Sequence, residues 1–217
     1  MGLQKLEITT KKGNEKFIFD GKELLLDVFS FWQWSSSDLL GNTLRGILAE
    51  FIVASSLGYL NKPRQEWDAY DIKTPEGIKV EVKSSAYIQT WSQKDYSKIT
   101  FGIAKKKAWD AETNETSAEK KRHADIYVFC VLAHKNKATI NPLDLCQWDF
   151  YVIPRKVLDT HCGEQKNIGL SKLMKLPLIV KTEYDELKNV IKDMAHNDFL
   201  VPTAPAWECI PRRSSVK

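Results

Sequence analysis

Residues 70–85 read YDIKTPEGIKVEVKSS, and this stretch decides the fold that we predict for the chain. Along it, apolar and charged side chains alternate: Ile78, Val80 and Val82 with Lys79, Glu81 and Lys83. A period of two is typical of a β-strand with one buried face. Because successive side chains of a strand point to opposite faces, Glu81 and Lys83 project from the same face, about 6.6 Å apart along the strand. The stretch therefore predicts a strand that carries an acid and an amine side by side.

A three-residue loop, Pro75-Glu76-Gly77, separates this strand from the one before it. Proline suits the first central position of a type I turn, and the glycine can adopt the left-handed conformation that follows such a turn. The loop pairs Thr74 with Ile78, and that register sets Asp71 directly opposite Glu81. Two carboxylates about 5 Å apart repel each other unless a cation lies between them. A divalent metal ion is the usual cation of an all-oxygen site.

Asp71, nine intervening residues and then Glu81-Val82-Lys83 resemble the active-site motif of the PD-(D/E)XK nuclease superfamily, which has a restriction-endonuclease-like fold. Upstream, residues 45–50, RGILAE, resemble the G-x-x-x-E helix that precedes the hairpin in Holliday junction resolvase-type members. The motif's nominal proline before the aspartate is Tyr70 here. The resemblance covers about residues 42–90, and the later order of strands and helices is compatible with it.

The resemblance implies an α/β fold with a restriction-endonuclease-like core, in which a central mixed β-sheet is flanked by helices and followed by a C-terminal strand and helix elaboration. We expect one nuclease-like domain over residues 1–217, with its core at about 38–155, a C-terminal extension at about 156–201 and a mobile tail at about 202–217. The implied function is metal-dependent hydrolysis of phosphodiester bonds by a DNA endonuclease. One alternative is a catalytically inactive nucleic-acid-binding module of the same fold, and another is an interaction protein whose charged hairpin is merely solvated.

By the same resemblance, Asp71 and Glu81 would hold Mg²⁺ or Mn²⁺, with the backbone carbonyl of Val82 as a further ligand. Lys83 would orient and help to deprotonate the attacking water, or would stabilise the charge that builds on the phosphate. Asp68 is a second candidate for the role of Asp71. It precedes the inferred strand, so we prefer Asp71.

A helix is predicted from about residue 38 to residue 56, ending at Gly58, because apolar residues recur there at helical spacing. Glu50 lies beside the apolar stripe, where a carboxylate is either a solvated edge residue or a partly buried group with a cationic partner. Given the hairpin downstream, we interpret Glu50 as a catalytic residue that reaches the metal through a water. Arg45, earlier in the same helix, is either a phosphate contact or a surface arginine, and we favour the surface arginine.

Candidate nucleic-acid contacts follow the hairpin. Gln89 would bond to substrate or to a neighbouring active-site group, and a plain loop glutamine is the equal alternative. Two basic clusters, Lys105-Lys106-Lys107 and Lys120-Lys121-Arg122, flank one connection between core strands. They would either grip a duplex backbone or form a solvated face. The connection itself could hold a short crossover helix.

An aromatic cluster precedes the predicted helix and comprises Phe29, Phe31, Trp32 and Trp34. It follows a hairpin predicted at Asp20-Gly21. The cluster is either a base-stacking platform or a set of core residues packed beneath the helix. We favour packing, because aromatic side chains supply much of the core area in small domains.

The composition is that of an ordinary globular protein, with 43% hydrophobic and 28% charged residues and a net charge of +4. Such a charge permits nucleic-acid binding without requiring it. Four widely spaced cysteines without a C-x-x-C pair favour reduced thiols over a disulfide framework or a zinc site. We find no secretion signal and no membrane-length apolar run, so we expect a cytoplasmic protein with no membrane partner. A homodimer would let an enzyme with one active centre cut both strands of a duplex.

Overall fold

The computed structural model describes residues 5–111 and 113–197. The strands are β1 (Lys16–Phe19), β2 (Lys22–Asp27), β3 (Ile72–Lys73), β4 (Lys79–Ala86), β5 (Thr100–Gly102), β6 (Ile126–Leu132), β7 (Trp148–Pro154), β8 (Asn167–Gly169) and β9 (Val180–Thr182). The helices are α1 (Val28–Ser35), α2 (Asn42–Ser56), α3 (Arg155–Cys162), α4 (Leu170–Leu173) and α5 (Leu187–Asn197). The tail that we predict to be mobile lies outside the described residues.

A five-stranded sheet in the order β3-β4-β6-β7-β9 forms the centre of the molecule. Strands β4 and β6 are parallel, whereas the other neighbouring pairs are antiparallel. The predicted mixed α/β architecture with a central mixed sheet is therefore confirmed. Every residue of β6 is buried, as expected for a strand covered on both faces.

Two hydrophobic cores lie on the two faces of this sheet. One core joins the sheet to α2 and α5 through residues such as Ala49, Val53 and Ile191. The other joins it to α3 and to the small sheet of β5 and β8 through residues such as Leu158 and Phe101. Because successive residues of β4 alternate between these cores, Glu81 and Lys83 lie on the β5–β8 side while Val80 and Val82 pack on the α2 side.

The hairpin of β3 and β4 has the predicted turn and register. The Thr74 amide donates to the Ile78 carbonyl at 2.9 Å, and Gly77 has a left-handed φ of 90°. Ile72 pairs with Val80 and Lys73 with Lys79, and the same register extended by one residue beyond β3 would set Asp71 opposite Glu81. The turn chemistry of the loop therefore fixes the relation between the two carboxylates.

Helix α2 begins at Asn42, later than the predicted start near residue 38. The Asp38 carboxylate instead accepts backbone hydrogen bonds from Leu40 and Gly41, which closes a turn ahead of the helix. The predicted C-terminal end is confirmed, because Gly58 adopts a positive φ of 74° immediately after the helix.

Two features of the region around residues 98–124 differ from prediction. Strand β5, which precedes the connection, pairs with β8 in a separate sheet, so the connection does not join two strands of the central sheet as predicted. Within the described part of the connection from Lys105 to Arg122, no helix forms. Its two arms instead pair at Lys106 with Lys121 and at Trp109 with Thr116. The connection is an irregular extended loop, because paired backbone groups satisfy its polar atoms without a helix.

The prediction that the aromatic cluster packs beneath the first helix is wrong. Residues 28–35 form their own helix, α1, which contains no buried residue. It follows the Asp20-Gly21 hairpin of β1 and β2, whose turn is confirmed by positive φ values at both residues. We call residues 13–37 the N-terminal unit. None of the described helices combines the length and apolar composition that a membrane span requires.

Candidate active site

Asp71 lies immediately before β3, facing β4. Its Oδ2 atom accepts a hydrogen bond from the Val82 amide at 2.6 Å, and its own amide donates to the Val80 carbonyl at 3.1 Å. Burial, followed by repulsion from Glu81, raises the pKa of Asp71 to about 6, although Lys83 and the Val82 amide oppose the rise. Asp71 and Glu81 therefore interact strongly, as two carboxylates in opposite positions of a hairpin should.

Glu81 and Lys83 form an ion pair on the same face of β4. The Lys83 Nζ lies 2.6 Å from the Glu81 Oε1, and the Lys106 Nζ approaches the same oxygen at 3.5 Å. Burial alone would lower the pKa of Lys83, but the carboxylates of Glu81 and Asp71 outweigh it and leave that pKa raised. Lys83 is therefore an ammonium ion at neutral pH in the metal-free protein.

Tyr127 is a buried neighbour of this cluster that the sequence did not reveal. It pairs with Glu81 across the parallel strands β4 and β6. Burial, and then the charge of Glu81, raises the pKa of Tyr127, so its phenol stays protonated. Tyr127 is positioned by the register between β4 and β6, whose paired residues are 46 positions apart in the sequence, and no local pattern encodes that register.

Glu50 has a cationic partner, Arg64, which agrees with the second of its two predicted environments. The Arg64 guanidinium donates to Glu50 Oε2 at 2.5 Å and to Oε1 at 3.1 Å. This hydrogen bond is the main cause of the raised pKa of Arg64. The charge of Glu50 also contributes to the raised pKa of Asp71, which places the two carboxylates within electrostatic reach. The sequence did not indicate that Arg64 would be the partner of Glu50, since a single arginine in a loop is common.

Two clefts meet at Asp71. The larger, of about 510 Å³, also contains Glu81 and is bordered by Lys106, Lys107, His123 and the edge-to-face pair Trp67 and Trp109. The smaller, of about 300 Å³, contains Glu50 and Arg64. Asp68 lines both clefts as well, so it remains the alternative to Asp71. The acidic groups thus surround a solvent-accessible position at the edge of the central sheet.

The donor set suits a hard divalent cation. In the described part of the chain, no three His, Cys, Asp or Glu side chains are grouped closely enough to form a complete metal site. Mg²⁺, however, is commonly bound through one or two carboxylates, with water and substrate phosphate completing its shell. The strained pair of Asp71 and Glu81 offers that number of carboxylates, and a cation would relieve its repulsion.

Comparison with known protein families identifies the chain. The family model described as bacteriophage T4 endonuclease IV matches residues 13–168, more than two thirds of the sequence. The chain belongs to the bacteriophage T4 endonuclease IV family. Membership makes it a DNA endonuclease, and hence a hydrolase, which confirms the predicted endonuclease activity and the DNA substrate. A search of curated proteins finds no match to the chain.

In this endonuclease IV family member, three polar residues near the site have structural roles instead of the predicted ones. Arg122 is only 2% exposed and bonds to the Ile103 carbonyl, Asp159 and the Gly163 carbonyl. Gln89 is buried against Arg45, the Ala86 carbonyl and Ser97. Arg45 is itself buried and also bonds to Leu40, Asn42 and Ser84. Their burial leaves Arg122 and Gln89 little access to DNA. The prediction of surface exposure for Arg45 is wrong, because burial cannot be read from charge.

The predicted lysines of the endonuclease are distributed around the larger cleft. Lys106 and Lys107 border it, and Lys106 lies directly across from Lys121 in the paired loop. Lys120 and Lys121 are exposed, whereas Lys105 pairs with Glu164 at 2.5 Å. Two lysines in opposite positions of a bridge repel each other, and an anion would relieve that repulsion. This loop is therefore a basic surface beside the carboxylates.

Proposed function

We propose that this DNA endonuclease is metal-dependent and belongs to the PD-(D/E)XK superfamily, with Asp71, Glu81 and Lys83 as its catalytic residues. The observation that carries the proposal is the juxtaposition of Asp71, Glu81 and Lys83 on two adjacent strands. Asp71 accepts from the amide that follows Glu81, and Lys83 contacts Glu81 at 2.6 Å. Such a group of two acids and one amine is suited to hydrolysing a phosphodiester.

The order of elements supports a restriction-endonuclease-like core. A helix, α2, precedes the hairpin of β3 and β4, and β6 then adds in parallel to β4 with antiparallel β7 beyond it. Glu50 is contributed by α2, while Asp71 and Glu81 are contributed by the hairpin, so the acids come from three successive elements. The separate pairing of β5 with β8 is an addition to this core and leaves its strand order intact.

Asp71 and Glu81 would hold Mg²⁺ or Mn²⁺, with the Val82 carbonyl as a further ligand. The bound ion would supply charge neutralisation at the phosphate and a lower pKa for the attacking water. In its absence, burial and then the charge of Glu81 raise the pKa of Asp71, so the ionised form of Asp71 is disfavoured. A cation bound between the two carboxylates would favour the ionised form.

Lys83 would act as a cation instead of a base. In the metal-free protein, Glu81 and Asp71 raise its pKa and keep the ammonium group charged. An ammonium group at this position would stabilise negative charge that builds on the phosphate oxygens in the transition state. Of the two roles implied by the resemblance, the electrostatic one agrees with the contacts of Lys83. The amine would be positioned for this by Glu81, which holds it at one oxygen.

Glu50 would retain the role of orienting a water beside the metal, with Arg64 fixing its side chain. Both oxygens of Glu50 accept from Arg64, so its carboxylate has a defined orientation before substrate binds. Lys106, Lys107, Lys120 and Lys121 would contact DNA phosphates at the mouth of the larger cleft, with Lys105 at the margin of this surface.

Cleavage of supercoiled plasmid tests the proposal. We expect nicking or linearisation with Mg²⁺ or Mn²⁺, and none in EDTA. Lys83→Ala should lose activity by about 100-fold or more, the typical cost of one transition-state electrostatic contact. Lys181→Ala is the matched control, since Lys181 pairs with Asp149 on the far strands of the sheet. Full cleavage in EDTA, or wild-type activity in Lys83→Ala, would contradict the proposal.

A further inference from the structure

The N-terminal unit exposes an apolar surface that the two cores do not use. Ten large apolar side chains of β1, β2 and α1, from Phe17 to Trp34, are between 39% and 98% exposed. None of the described residues in the unit belongs to either hydrophobic core. The matched family region begins at residue 13, so the unit belongs to the part of the chain shared with the family.

The unit is well defined in spite of its exposed side chains. Asp27 caps α1 by accepting from the Ser30 amide at 2.9 Å, and it pairs with Lys16 at 3.0 Å across the hairpin. Gly13 lies against Trp32, where any larger side chain would press on the indole ring. The Phe29 amide donates to the Gly13 carbonyl at 2.8 Å. Local bonds therefore fix the shape of the surface without burying it.

Both faces of the hairpin sheet are apolar. Leu24, Leu25 and Leu26 are consecutive in β2, so they point alternately to the two faces. Leu25 is 98% exposed, so almost none of its surface is buried by the described residues. A two-stranded hairpin is marginally stable in water by itself, and exposing both apolar faces makes it less so. Such a hairpin needs a partner surface.

The charge of the unit disfavours DNA as that partner. Residues 13–37 contain the lysines Lys16 and Lys22 against four acids, Glu15, Asp20, Glu23 and Asp27. Lys11 and Lys12 come directly before the unit, so this end of the chain has no excess of positive charge. A surface without excess positive charge does not attract phosphate backbones or anionic lipid headgroups, so the apolar side chains are what a partner would contact.

The area is sufficient for a stable interface between two copies. With aromatic side chains of about 150–250 Å² each and aliphatic ones somewhat smaller, the exposed set amounts to roughly 1,000 Å² on one copy. A standard protein–protein interface buries about 800 Å² per partner. The largest patch on a typical monomer is about 300–600 Å². The exposed set therefore reaches the area of a standard interface when the second copy covers both faces of the hairpin as well as α1.

We propose that the N-terminal unit is the dimerisation surface of this protein, with the same unit of a second copy as its partner. The apolar faces of β1, β2 and α1 bury each other in a symmetric, self-complementary contact. Each copy retains its own Asp71 and Glu81, so the dimer carries two active centres. The inference does not rest on the nuclease chemistry, because it concerns a surface outside the site.

Molar mass measured by light scattering on the full-length protein, without DNA or metal, tests the proposal. We expect about twice the chain mass of 24.9 kDa for the wild type at tens of micromolar. Leu25→Glu and Trp34→Glu, at the two most exposed positions of the unit, should each give 24.9 kDa. Leu143→Glu is the matched control, because Leu143 is exposed in a distant loop, and it should remain dimeric.

Circular dichroism and thermal unfolding of each variant establish that the fold is retained. A wild-type mass of 24.9 kDa would overturn the proposal. In that case, residues 198–217 of the same chain or a partner of another class would contact the surface instead. A dimer that persists in both Leu25→Glu and Trp34→Glu would overturn it too. Loss of the dimer in both variants but not in Leu143→Glu would support it.

Discussion

Asp71 is held in a position that costs free energy in the absence of a cation. Burial and the charge of Glu81 raise its pKa from 3.8 to about 6, and the Val82 amide compensates only in part. A shift of this size corresponds to about 3 kcal/mol against the ionised form. Catalytic residues often carry such shifts, because a site prepared for a ligand is strained without it.

The pH dependence of stability should report this cost. A carboxyl whose pKa is higher in the folded than in the unfolded protein binds its proton more tightly when folded. Its contribution to stability is therefore full below pH 3.8 and is lost as the pH rises through about 6. In EDTA at pH 7.5, we expect Asp71→Asn to be more stable than the wild type by about 1–3 kcal/mol in chemical denaturation.

The advantage of Asp71→Asn should shrink as the pH is lowered to 4, where the wild-type carboxyl is protonated. Asparagine keeps the oxygen that accepts from the Val82 amide, so the comparison isolates the charge. Asp149→Asn serves as the control, since Asp149 pairs with Lys181 away from the site and should show no gain. An Asp71→Asn protein that is less stable than wild type at pH 7.5 would show that the pair is not strained.

At the scale of the element, β3 and β4 could be predicted because the residues that determine their turn and register are close together in the sequence. The proline and glycine of the turn, together with the alternation after it, fix the register within sixteen residues. The pairing of Asp71 with Glu81 follows from that register alone. The candidate site could be predicted for the same reason, because its proposed residues lie within one hairpin and the helix before it.

Other elements could not be predicted because their partners are distant in sequence. Strand β5 pairs with β8, whose residues lie more than sixty positions later, and nothing near β5 indicates that choice. Helix α1 has an aromatic-rich sequence that is typical of a core helix, yet its side chains are exposed. An aromatic-rich composition predicts burial only when another part of the same chain packs against those side chains.

Gly46 within α2 gives a prediction about the helix. A Cβ atom built at Gly46 meets no atom within 4 Å apart from the helix itself, so the glycine does not serve a close contact with the sheet. Gly46→Ala should therefore stabilise the protein by about 0.5–1 kcal/mol, because alanine favours the helical conformation. Thermal unfolding measures the change. A loss of stability would mean that an unseen contact, such as bound DNA or a second copy, requires the glycine.

At the scale of the whole molecule, the site lies at one edge of the central sheet with the basic loop beside it. Lys107 borders the cleft and is exposed, whereas the buried Arg122 anchors the same loop to α3 through Asp159. Charge clusters in the sequence indicated where the loop lies, but not which of its basic residues are exposed and which are buried. Only the tertiary structure separates the surface lysines from the structural arginine.

Binding of DNA should follow this division. Lys107→Ala is expected to weaken binding of non-cleavable DNA in EDTA and to reduce the slope of log K against log salt by about 0.9, the effect of one phosphate contact. Its unfolding temperature should stay unchanged. Lys188→Ala, on the exposed side of α5, is the control and should leave both the affinity and the slope intact. An unchanged salt slope in Lys107→Ala would place the DNA elsewhere.

The most direct measurement is Mn²⁺ binding to the DNA-free protein, followed by electron paramagnetic resonance. Our account predicts a single site, with Asp71→Asn and Glu81→Gln each weakening the affinity by about tenfold or more. Asp149→Asn should bind as the wild type does. Undiminished binding in Asp71→Asn and Glu81→Gln, or a loss in Asp68→Asn alone, would contradict the claim that the opposing carboxylates of the hairpin hold the catalytic ion.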